Sequence, residues 1–209
     1  MEKPTIVSAD EWRLARAELL TAEKELTRAQ DALAARRRRL PMVRFDTAYA
    51  FATPGGTKSL PDLFEGRDQL VVYQFMKGGP DHICPGCTHF TDNVPALAPA
   101  LLAGTGVTWV TVSDMPLDVI GAHVARKGWT LPFVSSLGTS FSDDCGVGGG
   151  FQLSVFLRDG DEVYLTYTTG SRGVDRLLFT HNVLDLTPYG RQQDWEDSPP
   201  GWPQRPTYG

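Results

Sequence analysis

Cys84 and Cys87, in the stretch DHICPGCTHF at residues 81–90, are separated by Pro85 and Gly86 and flanked by His82 and His89. This spacing suits three kinds of chemistry: a redox dithiol, part of a metal site, or a pair of core thiols. On the first turn of a helix, a CxxC pair brings two sulfurs close enough for one small-ring disulfide. The first sulfur stays open to attack an incoming disulfide or peroxide. The first thiolate would form the mixed disulfide and the second would expel the partner from it. Pro85 fixes φ at an early helical position where no donor is needed, and Gly86 leaves room near the sulfurs. The motif alone does not fix the direction of electron flow, because a lower thiol pKa raises the thiolate fraction and lowers its nucleophilicity.

The metal reading uses His82, Cys84, Cys87 and His89, four zinc-compatible ligands within eight residues. Structural zinc sites draw a second ligand pair from a distant segment, and the chain has no second CxxC, CxxH or HxxxH. Thr88 stands where c-type haem attachment requires histidine. Redox use therefore ranks first, structural thiols second and metal third, with no cofactor expected. His89 either tunes the dithiol or lies on the helix surface. Cys145, in the glycine-rich loop TSFSDDCGVGGG, is either an alternative resolving thiol or an isolated loop cysteine. That loop lacks the Lys-Ser or Lys-Thr of a phosphate-binding loop.

The elements that must position the pair are legible around it. LVVYQFM at residues 70–76 is an uninterrupted apolar run of the kind buried on both faces of a sheet. The pair follows just past its C-terminal end, where open α/β sheets place their sites. Phe90, Val94, Leu97 and Leu101 then form a helical stripe that Pro95 and Pro99 bend or loosen. A helix starting near Cys84 puts that thiol at a helix N-terminus, where unpaired N–H groups and the dipole favour a thiolate. VTWVTVS at 107–113 is the next strand and PLDVIGAHVARKGW the next helix, closed by Gly128. Two strand-like runs flank Asp159-Gly160, a hairpin turn signal, and a final helix is expected around residues 171–183.

Residues 1–41 read as an N-terminal helical arm, 42–187 as the main domain and 188–209 as a Pro- and Trp-containing extension. Ser8 and Glu11 form a capping box, and Trp12, Ala15, Leu19, Leu26, Ala29 and Leu33 make one apolar stripe, which suggests a homodimer through the arm. Arg36 to Arg39 are read as a solvated helix terminus. The net charge of −5 gives little pull toward nucleic acid or anionic lipid. No apolar stretch reaches the roughly 18 residues of a membrane span. The opening MEKPTIVSADEW lacks a basic-then-apolar leader, so a cytoplasmic location with reduced cysteines is expected. Trp109 and Trp129 read as core or boundary aromatics, His123 and His181 as helix residues, and Asp143 and Asp144 as a solvated acidic pair. Arg158 and Arg172 would stabilise an anion only if the fold brought them to the site.

The phrases EWRLARAELLTAEKELTRAQDALAARRRRLP, SLPDLFEGRDQLVVYQFM, CPGC, GWTLPFVSS, SVFLRDGDEVYLTY and LDLTPYGR resemble an uncharacterised bacterial family of unknown function. That family belongs to the thioredoxin-like superfamily and is related to peroxiredoxin-type proteins. The resemblance implies a thioredoxin-like three-layer α/β/α sandwich carrying a long N-terminal helix and a C-terminal extension. It places Cys84 at the attacking cysteine and Cys87 at the resolving one. Gln152 falls where thioredoxins carry a cis-proline beside the dithiol, a departure from protein-disulfide reductases. Asp81 falls where peroxiredoxins carry threonine or serine three residues before the peroxidatic cysteine, and an acidic neighbour there raises a thiol pKa.

The expected function is thiol-disulfide oxidoreduction through Cys84 and Cys87 on a protein or small-molecule thiol or disulfide. The alternatives are a non-catalytic binding or assembly protein on the same scaffold, and a thiol-dependent peroxidase. Exposure of Cys84 discriminates the redox readings from the assembly reading.

Overall fold

The central strand alternates its side chains between two apolar layers, and this alternation organises the whole sheet. Leu70 and Val72 of β4 (Gln69–Phe75) enter one core, while Val71, Tyr73 and Phe75 enter the other. The computed structural model describes residues 3–147 and 149–206. The outermost residues of the N-terminal arm and C-terminal extension, and Gly148 of the glycine-rich loop, lie outside these.

The sheet has eight strands in the order β1-β8-β7-β4-β5-β6-β2-β3. They are β1 (Val43–Phe45), β2 (Ala50–Thr53), β3 (Gly56–Ser59), β4, β5 (Val107–Ser113), β6 (Phe133–Ser135), β7 (Gln152–Asp159) and β8 (Glu162–Thr169). β4, β5 and β6 run parallel, and the other neighbouring pairs are antiparallel. Val72 pairs with Val110 on one side and Ser154 on the other, so β4 is fully internal. β7 and β8 form the hairpin that Asp159-Gly160 signals. This mixed sheet, covered on both faces, is an elaborated thioredoxin-like α/β/α fold.

One face carries α2 (Pro85–Asn93) and α4 (Leu117–Lys127), which contribute Cys87, Phe90 and Ile120 to a core with Tyr73, Phe75 and Trp109. The opposite face is covered by a short 3₁₀ turn (Pro61–Phe64) and α5 (Phe141–Asp144), where Phe51, Leu63, Phe64 and Phe141 close over Leu70, Val72 and Phe156. The helix after Cys84 breaks where its prolines lie: α2 ends at Asn93, and α3 (Ala98–Ala103) restarts with Pro99 in its first turn. The helix expected over 171–183 is instead a 3₁₀ segment, Ser171–Leu177, followed by α6 (Phe179–Leu184). Leu178 between them is extended, with ψ 110°, which interrupts helical continuity.

The described residues divide into two compact units, residues 42–184 and residues 3–41 with 185–206. In the second unit, α1 (Ala9–Arg37) starts with the expected capping box: Glu11 N donates to Ser8 Oγ at 3.3 Å and Ser8 N to Glu11 Oε2 at 2.9 Å. None of its residues is buried, and Trp12, Leu19, Leu26 and Leu33 are all exposed. The extension is held by its own contacts, with Arg191 bidentate on Asp185 at 2.7 Å and Tyr189 packed edge-on against Trp202. No described helix is long and apolar enough to cross a membrane.

Candidate functional site

β4 delivers the chain to the site through a tight loop. Gly79 and His82 bond reciprocally, and His123 of α4 donates Nε2–H to Gly79 O at 2.9 Å, so a helix one crossover away braces the loop. His123 is buried, and its ring bonds to backbone. Helix α2 then begins at Pro85, with Cys84 as its N-cap. Cys84 Sγ accepts the Cys87 N–H at 3.3 Å, the bond a serine or aspartate oxygen makes at an ordinary N-cap. Negative charge formed on Cys84 Sγ therefore meets a backbone donor already aimed at it.

The two thiols sit in different surroundings. Cys84 is half-buried, whereas Cys87 is sealed in the core, where Met76 N–H donates to its sulfur at 3.4 Å. Burial pushes the Cys87 thiol up to about 12; the Met76 N–H and the Tyr73 hydroxyl beside it pull the other way and do not offset the lost hydration. Met76 Sδ also lies 3.5 Å from Cys84 Sγ, so one residue at the strand end touches both sulfurs.

Cys84 opens into a cavity of about 440 Å³ whose apolar wall includes Met76, Phe151, Val174 and Leu178. Pro85 and Gly86 form its rim beside the sulfur, and His89, Ser171 and Arg172 supply polar groups. His89 Nε2 lies 3.1 Å from His181 Nε2 on α6, and His181 Nδ1 lies 3.9 Å from Asp175 Oδ1. Arg172 Nε is 3.5 Å from the other oxygen of Asp175. His89 and Arg172 thus line the Cys84 cavity, and His181 and Asp175 contact them from outside its wall.

Other expected site residues lie elsewhere. Cys145 is buried with Phe141 and Phe156 on the opposite face of the sheet from Cys87. Burial and the nearby Asp144 carboxylate push its thiol up to about 12. Gln152 also faces that side, donating to Cys145 O at 2.8 Å and Ser154 Oγ at 3.0 Å. The residue bordering the dithiol is its neighbour Phe151, because adjacent strand residues point to opposite faces. Asp81 and His82 are exposed and do not line the cavity. Among the described residues, no three His, Cys, Asp or Glu side chains group to hold a metal, and His89 turns toward His181. Arg172 reaches the cavity, while Arg158 sits at the far end of β7, where its N–H donates to Asp68 O at 2.8 Å. Asp144 accepts from Tyr49 and Ser140, so it is a structural acceptor. Trp109 is a core aromatic, and Trp129 donates to Asp92 at 2.7 Å while stacking on Phe133.

His181, Asp175, Phe151 and Met76 have no local sequence signature. Only Met76 carries a positional hint, as the residue following the central strand.

A family description covers this entire arrangement, from the arm through the CPGC helix to the extension: "Bacterial protein of unknown function (DUF899)" matches residues 1–208. The chain belongs to that family. No curated protein matches the sequence. Among solved structures, peroxidoxin BcpB from Mycobacterium tuberculosis is similar at 19% identity over 69% of this chain and 99% of its own, with a TM-score of 0.47. The bacterioferritin comigratory protein of Xanthomonas campestris aligns at 18% identity over 63% of this chain and 92% of its own, with a TM-score of 0.46. A secreted disulfide oxidoreductase of Mycobacterium tuberculosis aligns at 16% identity over 62% and 90%, with a TM-score of 0.41.

Proposed function

We propose that this DUF899 protein is a dithiol-dependent reductase of small oxidised molecules, with a hydroperoxide as the substrate class. The observation that carries this reading is the asymmetry of the pair: Cys84 opens into a largely apolar cavity, and Cys87 is sealed directly behind it. Cys84, as thiolate, attacks the terminal oxygen of ROOH; the S–O bond forms, the O–O bond breaks and ROH leaves once its oxygen is protonated. Cys87 then attacks the sulfenic sulfur, forming the Cys84–Cys87 disulfide and releasing water with its own proton. An external thiol reductant restores the dithiol. Asp81 is exposed and outside the cavity wall, so the acidic neighbour that weighed against peroxide chemistry does not face the substrate.

A small disulfide is the second reading, favoured by the CxxC spacing itself. An extended protein chain fits less well, because Phe151 occupies part of the wall of the cavity that Cys84 lines. A reducing compartment such as the cytoplasm would return all three cysteines to thiols between turnovers.

The test is to reduce and desalt the protein, then mix it with tert-butyl hydroperoxide or oxidised glutathione. Peroxide consumption, with loss of two hydrogens mapped to a Cys84–Cys87 bridge, supports the first reading; turnover of glutathione disulfide alone supports the second. No oxidation of Cys84 by either removes both.

The arm supports an assembly role beside the chemistry, and its partner in this proposal is a second copy. Trp12, Leu19, Leu26 and Leu33 recur every seven residues, with Ala15, Ala22 and Ala29 three places after the first three. This is a coiled-coil seam of large and small residues. Residues 10–25 hold five acidic and three basic side chains, residues 26–39 five basic and one acidic. An antiparallel pair brings these unlike halves together.

A further inference from the structure

Breaking an O–O bond leaves an alkoxide, and an alkoxide in an apolar cavity is strongly disfavoured unless it receives a proton as it forms. Cys87 is a poor source, since its thiol is buried behind Cys84 and is committed to the next step. Arg172 supplies charge but never a transferable proton at working pH. His89 is the imidazole in the cavity wall that also contains Cys84.

The contacts of His89 bear on which of its ring nitrogens is engaged. Asp175, itself little exposed, faces His181 Nδ1 across 3.9 Å, a charge contact that favours a proton on that nitrogen. Neutral His181 then presents Nε2 as an acceptor. With that tautomer of His181, the 3.1 Å approach of the two Nε2 atoms is a hydrogen bond donated by His89 Nε2. That leaves His89 Nδ1 unengaged by His181, on a side chain that lines the same cavity as Cys84. The Asn93 side chain donates to His89 O at 2.8 Å and Asn93 Oδ1 accepts from Thr180 N at 2.9 Å, so one residue ties α2 to the start of α6 and holds the two rings in register.

We propose that His89 is the proton donor to the leaving group, with His181 and Asp175 as positioning residues that set its tautomer. The proposal rests on the reading that Cys84 attacks the substrate. In the step, the Cys84 proton passes to His89 Nδ1 and the sulfur electron pair forms the S–O bond. The O–O pair departs on RO⁻, and Nδ1–H protonates it to ROH, giving Cys84 sulfenic acid and neutral His89. The charged and titratable groups around His89 among the described residues include Cys84 and Arg172 from the cavity, His181 from α6 with Asp175 behind it, and Asp92 three residues on along α2. A sequence reading has no access to this set, since His89 and His181 are 92 residues apart.

The test compares single-turnover oxidation of Cys84 by tert-butyl hydroperoxide, whose alkoxide is a poor leaving group, and by peracetic acid, whose carboxylate needs no proton. With each rate divided by the iodoacetamide alkylation rate of Cys84 in the same variant at the same pH, so that loss of the thiol's proton acceptor cancels, His89→Gln should slow the first by about 100-fold, the lower end of general acid contributions, and the second by no more than about 3-fold. Asp175→Asn should reproduce part of that selectivity and change the imidazole ¹⁵N shifts of His89 from the Nε2–H pattern. Equal slowing of both oxidants, or no slowing, overturns the proposal while leaving the reductase reading intact. Wild-type Cys84 that resists both oxidants overturns the reductase reading and the relay with it. His181→Gln is the second variant if His89→Gln misfolds, and unselective kinetics in it count against the relay in the same way.

Discussion

Cys84 Sγ accepts the backbone N–H of Cys87 at 3.3 Å, so the more exposed thiol of the pair, the proposed nucleophile, is also the cap of the helix that carries it. Structure and chemistry are therefore separable by substitution. Cys84→Ser keeps an acceptor at the cap and should retain the stability of the reduced protein, while Cys84→Ala should lose about 0.5–1 kcal/mol. Both should abolish turnover. Urea denaturation under reducing conditions, beside the peroxide assay, checks both statements; equal stability for the two variants would remove the capping role.

Cys145 predicts the opposite pattern. It lies across the sheet from Cys87, so Cys145→Ala should leave the formation and reduction of the Cys84–Cys87 bridge unchanged. Its effect appears in alkali. Burial raises the native thiols of Cys87 and Cys145 to about 12 from 9.0, and between those values the unfolded chain has already lost protons that the native state keeps. Stability therefore falls as pH rises from 9 toward 12, by up to about 1.4 kcal/mol per pH unit for each such thiol. Thermal melts from pH 8 to 11 should show a shallower decline for Cys145→Ala than for the wild type.

The sheet core and the dithiol were readable because their signals are local. A seven-residue apolar run, CPGC at its end and Asp159-Gly160 between two strands each declare themselves within a few positions. β6 and α5 were not readable, being only three and four residues long. The site was half legible for the same reason. Gln152 is one position from Phe151, and one position along a strand reverses the face, so Phe151 lines the Cys84 cavity while Gln152 bonds Cys145 O on the other side. The His89–His181 contact depends on the last helix folding back on α2, which no local pattern encodes.

Gly78 offers a test of how the loop before Cys84 is held. A Cβ at this position would lie 2.5 Å from His82 O, a backbone atom fixed by the Gly79–His82 bridge and the His123 brace. Gly78→Ala must displace that loop and with it the start of α2. Iodoacetamide labelling of Cys84 in the reduced native protein should change by several-fold, although neither sulfur nor its contacts have been substituted. Gly79→Ala, where a Cβ meets nothing within 4 Å, is the matched control and should label as the wild type does.

The arm predicts a change of assembly independent of the chemistry. Leu19 and Leu26 are 55% and 60% exposed and occupy the same position in successive seven-residue repeats. If two copies pair along this seam, each leucine moves from water to a packed contact worth roughly 1.5–3 kcal/mol. Leu19→Glu with Leu26→Glu should therefore convert a dimer to a monomer in sedimentation equilibrium, and Ala22→Trp should do so by blocking close approach of the helices. Peroxide consumption per chain should be unaltered in both, because every residue assigned to the site belongs to the unit spanning residues 42–184. A wild-type protein that sediments as a monomer at micromolar concentration would leave the leucine seam without the partner assigned to it.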